Sequence, residues 1–148
     1  MALKLTYDEL ILARAVGQQY INKNPERTPL HYALEKFIKK TQRMAEDYAD
    51  KENDIRVDCA LIDKDTKKFV LMDDKKSIAV DPIKAKEFQK KMRELGREEV
   101  TIENPHFATS VPDDLEAAWF QQFVGIVIRE DDDPLINKPE LVSQNGAE

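Results

Sequence analysis

Residues 55–80 read IRVDCALIDKDTKKFVLMDDKKSIAV, short apolar runs separated by clusters of aspartate and lysine. The period of this stretch decides the fold class. Ile55, Val57, Cys59 and Leu61 alternate with Arg56, Asp58 and Ala60, and a two-residue period is that of a half-buried strand. A strand is therefore expected over 55–61. The polar run 63–68 reads as a turn, Phe69-Val70-Leu71-Met72 as its antiparallel partner, and Ser77-Ile78-Ala79-Val80 as a third strand after the link Asp73-Asp74-Lys75-Lys76.

Upstream the period is helical. Thr6-Tyr7-Asp8-Glu9 is a capping box, in which hydroxyl and carboxylate satisfy each other's orphaned amides. From there Leu10, Ala13, Val16, Gly17, Tyr20 and Ile21 recur on one face, and Asn22 to Pro25 ends the helix. Thr28 then caps a second helix with Pro29 at its first position, where no amide partner is needed. Its stripe, Leu30, Ala33, Leu34, Phe37, Ile38, Thr41, Met44, Ala45 and Tyr48, predicts one helix of roughly five turns.

Downstream, Asp81-Pro82 predicts a helix start, with Ile83, Phe88, Met92 and Leu95 inward and Gly96 as a left-handed stop. Residues 99–102 suggest a fourth strand. Two prolines, Pro105 and Pro112, hold the next connection extended. A last helix is expected from Pro112, its inner face Leu115, Ala118, Trp119, Gln122 and Phe123, with Gly125 to Ile128 continuing it or forming a short strand. The expectation is one α+β domain over 1–129, a small antiparallel sheet (a three-stranded meander plus a fourth strand) against about four helices. Residues 130–148, acidic at the start and without period, are expected to be a disordered tail.

Composition narrows the function classes. The chain of 148 residues carries 29 acidic and 23 basic residues, a net charge of −6. That balance argues against a nucleic-acid partner, whose phosphates demand a concentrated basic face. No apolar run approaches the roughly 20 residues that span a bilayer, so no membrane is expected. The lone Cys59 forms no internal bridge, and the first residues lack an apolar signal region. A cytoplasmic protein is expected.

Candidate chemistry is sparse. Asp63-Lys64-Asp65 opens like a calcium loop but lacks the turn glycine and the closing glutamate. Cys59 reads as a structural thiol without a base, and His31 and His106 read as surface or capping residues, too few for a usual zinc site. Four scattered glycines form no phosphate-cradling loop. No metal or cofactor is expected. Trp119 and Phe120, adjacent on one helix, point about 100° apart, so one of them is free to serve an interface. With His106 and Phe107 in the proline-pinned loop they make the candidate interaction set, since aromatic anchors dominate interface energetics.

Two resemblances bear on function. Helix, three strands, helix and strand is similar to the core order of the PD-(D/E)xK nuclease superfamily, which holds Mg²⁺ with an Asp and with an Asp or Glu two residues before a Lys. Asp73 with Lys75 and Asp74 with Lys76 have the second spacing, and Asp58 or Asp63 offers the first carboxylate. In that family these residues lie within a strand, on one face; here they fall in the polar link, so a hairpin turn is the preferred reading. The second resemblance rests on layout: a capped first helix, a long Lys-rich helix, a charged hairpin, and EEVTIENPHFATSVPDDLEAAWFQQF at 98–123. It resembles small phage- and prophage-encoded proteins, which bring no catalytic residues to transfer. It implies a non-enzymatic protein, cytoplasmic in a bacterial host, that acts through a protein partner or as a homo-oligomer, in particle assembly or against a host system.

Overall fold

The computed structural model describes residues 2–130. Among them, five α-helices and a two-stranded antiparallel sheet give an α+β chain. The sheet pairs β1 (Ala2–Thr6) with β2 (Glu99–Glu103). β2 falls where a fourth strand is predicted. β1 has little signal of its own, because only Leu5 of its five residues is buried, and its partner lies more than ninety residues away in sequence.

α1 (Tyr7–Lys23) starts directly after Thr6 and buries Leu10, Ala13, Gly17 and Tyr20. α2 (Pro29–Lys40) starts where the Thr28 hydroxyl accepts a hydrogen bond from the His31 amide at 3.2 Å. It buries Leu30, Ala33, Leu34 and Phe37, the predicted stripe, and also His31, which is therefore not a surface residue. The expected single helix through Tyr48 is two. Thr41, fully buried, breaks it with φ −97° and ψ 5°. Its hydroxyl donates to the Phe37 carbonyl at 2.7 Å, a back-bond that bends helices.

α3 (Gln42–Asp58) runs through the start of the expected strand. Ile55 and Cys59 are four residues apart as well as alternating, so a helical period was available to the same side chains. Contact with α4 (Ala85–Arg97) selects it. The two helices pack together, with the Arg56 guanidinium 5.2 Å from the Phe88 ring centroid and Arg56 paired to Glu52 one turn back at 3.7 Å.

Asp81 opens the path to α4 by accepting from the Ile83 amide at 3.0 Å, but the first turn, Pro82–Lys84, is 3-10. Ile83, expected to face inward, lies in that turn and is 92% exposed. Gly96 is not a left-handed stop, since α4 continues to Arg97. A Cβ on it would run into the carboxylate of Asp8, so close approach is its use. The last helix is short. α5 (Ala117–Phe123) begins five residues after Pro112, and Gly125, at φ 82°, turns the chain so that Val124 and Ile128 form a parallel bridge.

The described chain packs as two compact units, one comprising residues 2–4, 9–41 and 101–130, the other 5–8 and 42–100. The first buries Leu10, Leu30, Leu34, Ile102, Phe123, Val127 and Ile128. The second has a thin core. Leu5, Tyr7, Cys59, Ala60 and Leu95 are its buried apolar residues, and α3 buries none. The tail expected at 130–148 lies, Glu130 apart, outside the described residues.

Candidate functional site

The expected three-stranded meander is replaced by a three-way junction. Three apolar triplets, Ala60-Leu61-Ile62, Phe69-Val70-Leu71 and Ile78-Ala79-Val80, are separated by two segments of six residues each, 63–68 and 72–77, polar but for Met72. Each triplet pairs with both others through a single antiparallel bridge: Ala60 with Val80, Ile62 with Phe69, Leu71 with Ile78. The central residues close a ring of hydrogen bonds. The Leu61 amide donates to the Ala79 carbonyl at 2.9 Å, the Ala79 amide to Val70 at 2.8 Å, and the Val70 amide to Leu61 at 2.9 Å. Their spacing of nine residues is a short structural repeat that the regular interval between apolar triplets signals.

The polar runs are the turns of this junction. Asp63 Oδ1 accepts from the amides of Asp65 (2.8 Å) and Thr66 (3.1 Å), and Asp74 Oδ1 from those of Lys76 (2.8 Å) and Ser77 (2.9 Å). Each turn contains a lysine in the left-handed region, Lys67 at φ 63° and Lys75 at φ 57°. The amides of Thr66 and Asp65 hold the Asp63 carboxyl below its usual range. Asp74 is held low by the amides of Ser77 and Lys76 and then by the Ser77 hydroxyl, 2.7 Å from Oδ2.

These contacts bear on the nuclease candidates. Asp58 ends α3, Asp63 and Asp74 serve as turn acceptors, and Asp73, Lys75 and Lys76 are exposed in the second turn. Among the described residues no three of His, Cys, Asp or Glu form a group able to hold a metal ion. Cys59 is fully buried, its Sγ 3.8 Å from Glu87 Oε2. Burial first, and the Glu87 charge second, push its thiol up in pKa, away from the reactive thiolate.

The junction leaves apolar surface in the open. Paired bridge residues stand on the same face, and alternate residues of one segment do too. Ile62, Phe69, Leu71 and Ile78 therefore share a face. Ile62 is 52% exposed and Phe69 and Leu71 47% each, while Met72, next to Leu71 and so turned to the other side, is 49% exposed. The turns around it carry Asp63, Asp65, Asp73 and Asp74 against Lys64, Lys67, Lys68, Lys75 and Lys76.

The predicted interaction set lies in the other unit and is not one patch of exposed aromatics. Trp119 stacks on the buried Phe123 with centroids 6.1 Å apart and meets Tyr20 edge-on at 5.4 Å. Phe120 is half-buried, and Phe107 is covered by the Arg129 guanidinium at 5.4 Å. His106 differs. Its ring lies edge-on to Tyr32 at 5.4 Å and lines a cavity of about 520 Å³ with residues of α2 and β2.

Comparison with protein-family models, with curated proteins and with solved structures returns no match. Among the described residues, no helix is long and apolar enough to cross a membrane.

Proposed function

We propose that the protein is a non-enzymatic assembly protein that self-associates through the exposed face of the three-way junction. The observation that carries this reading is the set Ile62, Phe69 and Leu71 on one face of the junction, each about half exposed. A soluble chain gains nothing by leaving such a set in water unless something covers it. A second copy suits the rim. Four aspartates against five lysines leave it nearly neutral in a chain of net charge −6, so two copies meet face to face with opposite charges available to pair.

Magnitudes set the expected strength. Covering the exposed half of each of these three side chains contributes about 1 kcal/mol per residue, hence roughly 6 kcal/mol over two copies, against an association cost of about 4–15 kcal/mol. The contact is expected to be weak and concentration-dependent. The layout resemblance to phage and prophage proteins agrees with such a role, in particle assembly or against a host system.

Light scattering coupled to size-exclusion chromatography across a concentration series tests the reading. A discrete oligomer is expected, dissociated by Phe69→Glu with Leu71→Glu while the circular dichroism spectrum is retained. A monomer at all concentrations, or an oligomer that survives the double variant, overturns it.

A further inference from the structure

We infer that the first unit holds a binding site for a small organic phosphate, in the cavity beside His106. It is independent of the junction and of self-association. Three lysines, Lys36, Lys39 and Lys40, line the cavity together with His106 and Asn104, and no carboxylate does. In a chain of net charge −6, three ammonium groups without an acid among them are a local excess. Like charges brought together repel unless an anion joins them.

The lysines are held in different ways. Lys40 Nζ donates to the Asn104 carbonyl at 2.7 Å, next to β2, and Asn104 itself is in the left-handed region at φ 48°. Lys36 Nζ lies 5.4 Å from the Tyr32 ring centroid, and that ring meets His106 edge-on. The Lys39 ammonium has no hydrogen-bond or ion-pair partner among the described residues. Lys39 and Lys40 lie in the last turn of α2, where cations offset the helix dipole. That effect explains neither Lys36, a turn earlier, nor the hollow between these side chains.

The rest of the lining selects the ligand class. Phe37, Ile102, Pro105 and Ile126 give the cavity an apolar wall, with Phe37 and Ile102 buried. A bare anion would leave that wall and most of the 520 Å³ unused, since pockets of this size enclose molecules rather than ions. A phosphate monoester or diphosphate on a ring or sugar uses both parts. Its oxygens accept from the lysines, Asn104 and His106, and its organic part lies on the apolar wall.

The test is a titration of the ¹⁵N-labelled protein with ADP, glucose 6-phosphate, adenosine and inorganic phosphate, followed by amide and His106 imidazole shifts. Saturable shifts confined to residues 36–40, 102–106 and Ile126 are expected with ADP or glucose 6-phosphate, and whichever binds tighter identifies the organic part. The double variant Lys36→Glu, Lys39→Glu is expected to weaken binding at least tenfold. Lys64→Glu with Lys67→Glu, in the other unit, should leave it unchanged. No saturable shift with either phosphate overturns the inference, as do equal affinities for inorganic phosphate and the esters, or undiminished binding by the Lys36 and Lys39 variant. Adenosine binding as tightly as ADP would also overturn it.

Discussion

Arg14 Nη1, from α1, donates to the Thr41 hydroxyl at 2.7 Å and to the Ile38 carbonyl at 2.5 Å. One guanidinium thus satisfies the C-terminal end of α2 at the residue where the chain breaks before α3. Helix ends leave carbonyls without intrahelical partners, and a charged donor gives a stronger bond than a neutral one. Thr41→Val keeps the shape and removes the hydroxyl. It should destabilise the protein by about 1–3 kcal/mol, the loss of the hydroxyl's hydrogen bonds with Arg14 and the Phe37 carbonyl, measured by urea denaturation.

Phe123 is fully buried, stacked on Trp119 and edge-on to Tyr20 at 5.8 Å. Phe123→Ala should cost about 3–5 kcal/mol, transfer plus cavity. The emission of Trp119, the chain's single tryptophan, should shift to the red in the folded variant. An unchanged spectrum with native stability would contradict the packing described.

The two turns of the junction titrate in a defined direction. Backbone amides lower the carboxyl pKa of Asp63 and Asp74 below 3.8. A carboxyl whose folded pKa is depressed contributes stability above its unfolded pKa and loses it as pH falls through the folded one. Carboxyl ¹³C shifts should therefore show both residues titrating below 3.8, with the thermal midpoint falling as they protonate. Asp74→Ala should lower the midpoint at pH 7 and remove part of its drop at low pH.

Cys59 should be slow to react. Its burial and the facing Glu87 carboxylate keep it a thiol at neutral pH. Ellman's reagent should label it at the rate of unfolding, and rapidly in urea. Glu87→Gln should bring its pKa down, because the second cause of the upward shift is removed while burial stays.

Local chemistry marked the element starts. Thr6 before α1, Thr28-Pro29 before α2 and Asp81 before the turn leading to α4 stand where capping rules place them. These rules act over three or four residues, so they are readable without the rest of the chain. The apolar stripe of α2 and the strand at 99–102 were legible for the same reason. Of the candidate residues, His106 and its loop stood out through the flanking proline, but the three lysines that share its cavity did not. They lie on a helix more than sixty residues upstream, and a solvated helix face has the same composition.

What the sequence alone determined is the α+β class, the starts of α1, α2 and the turn leading to α4, and the chain's balance of charge. Tertiary structure decided the rest. Residues 55–58 satisfy both periods, and packing against α4 chose the helix. Thr41 ends α2 because Arg14 reaches it from α1. The three apolar triplets at 60–62, 69–71 and 78–80 are each too short to make a ladder, and they become a junction only when all three close the ring of hydrogen bonds. Pairing between distant segments depends on which partners meet, and a residue's local propensity does not encode that.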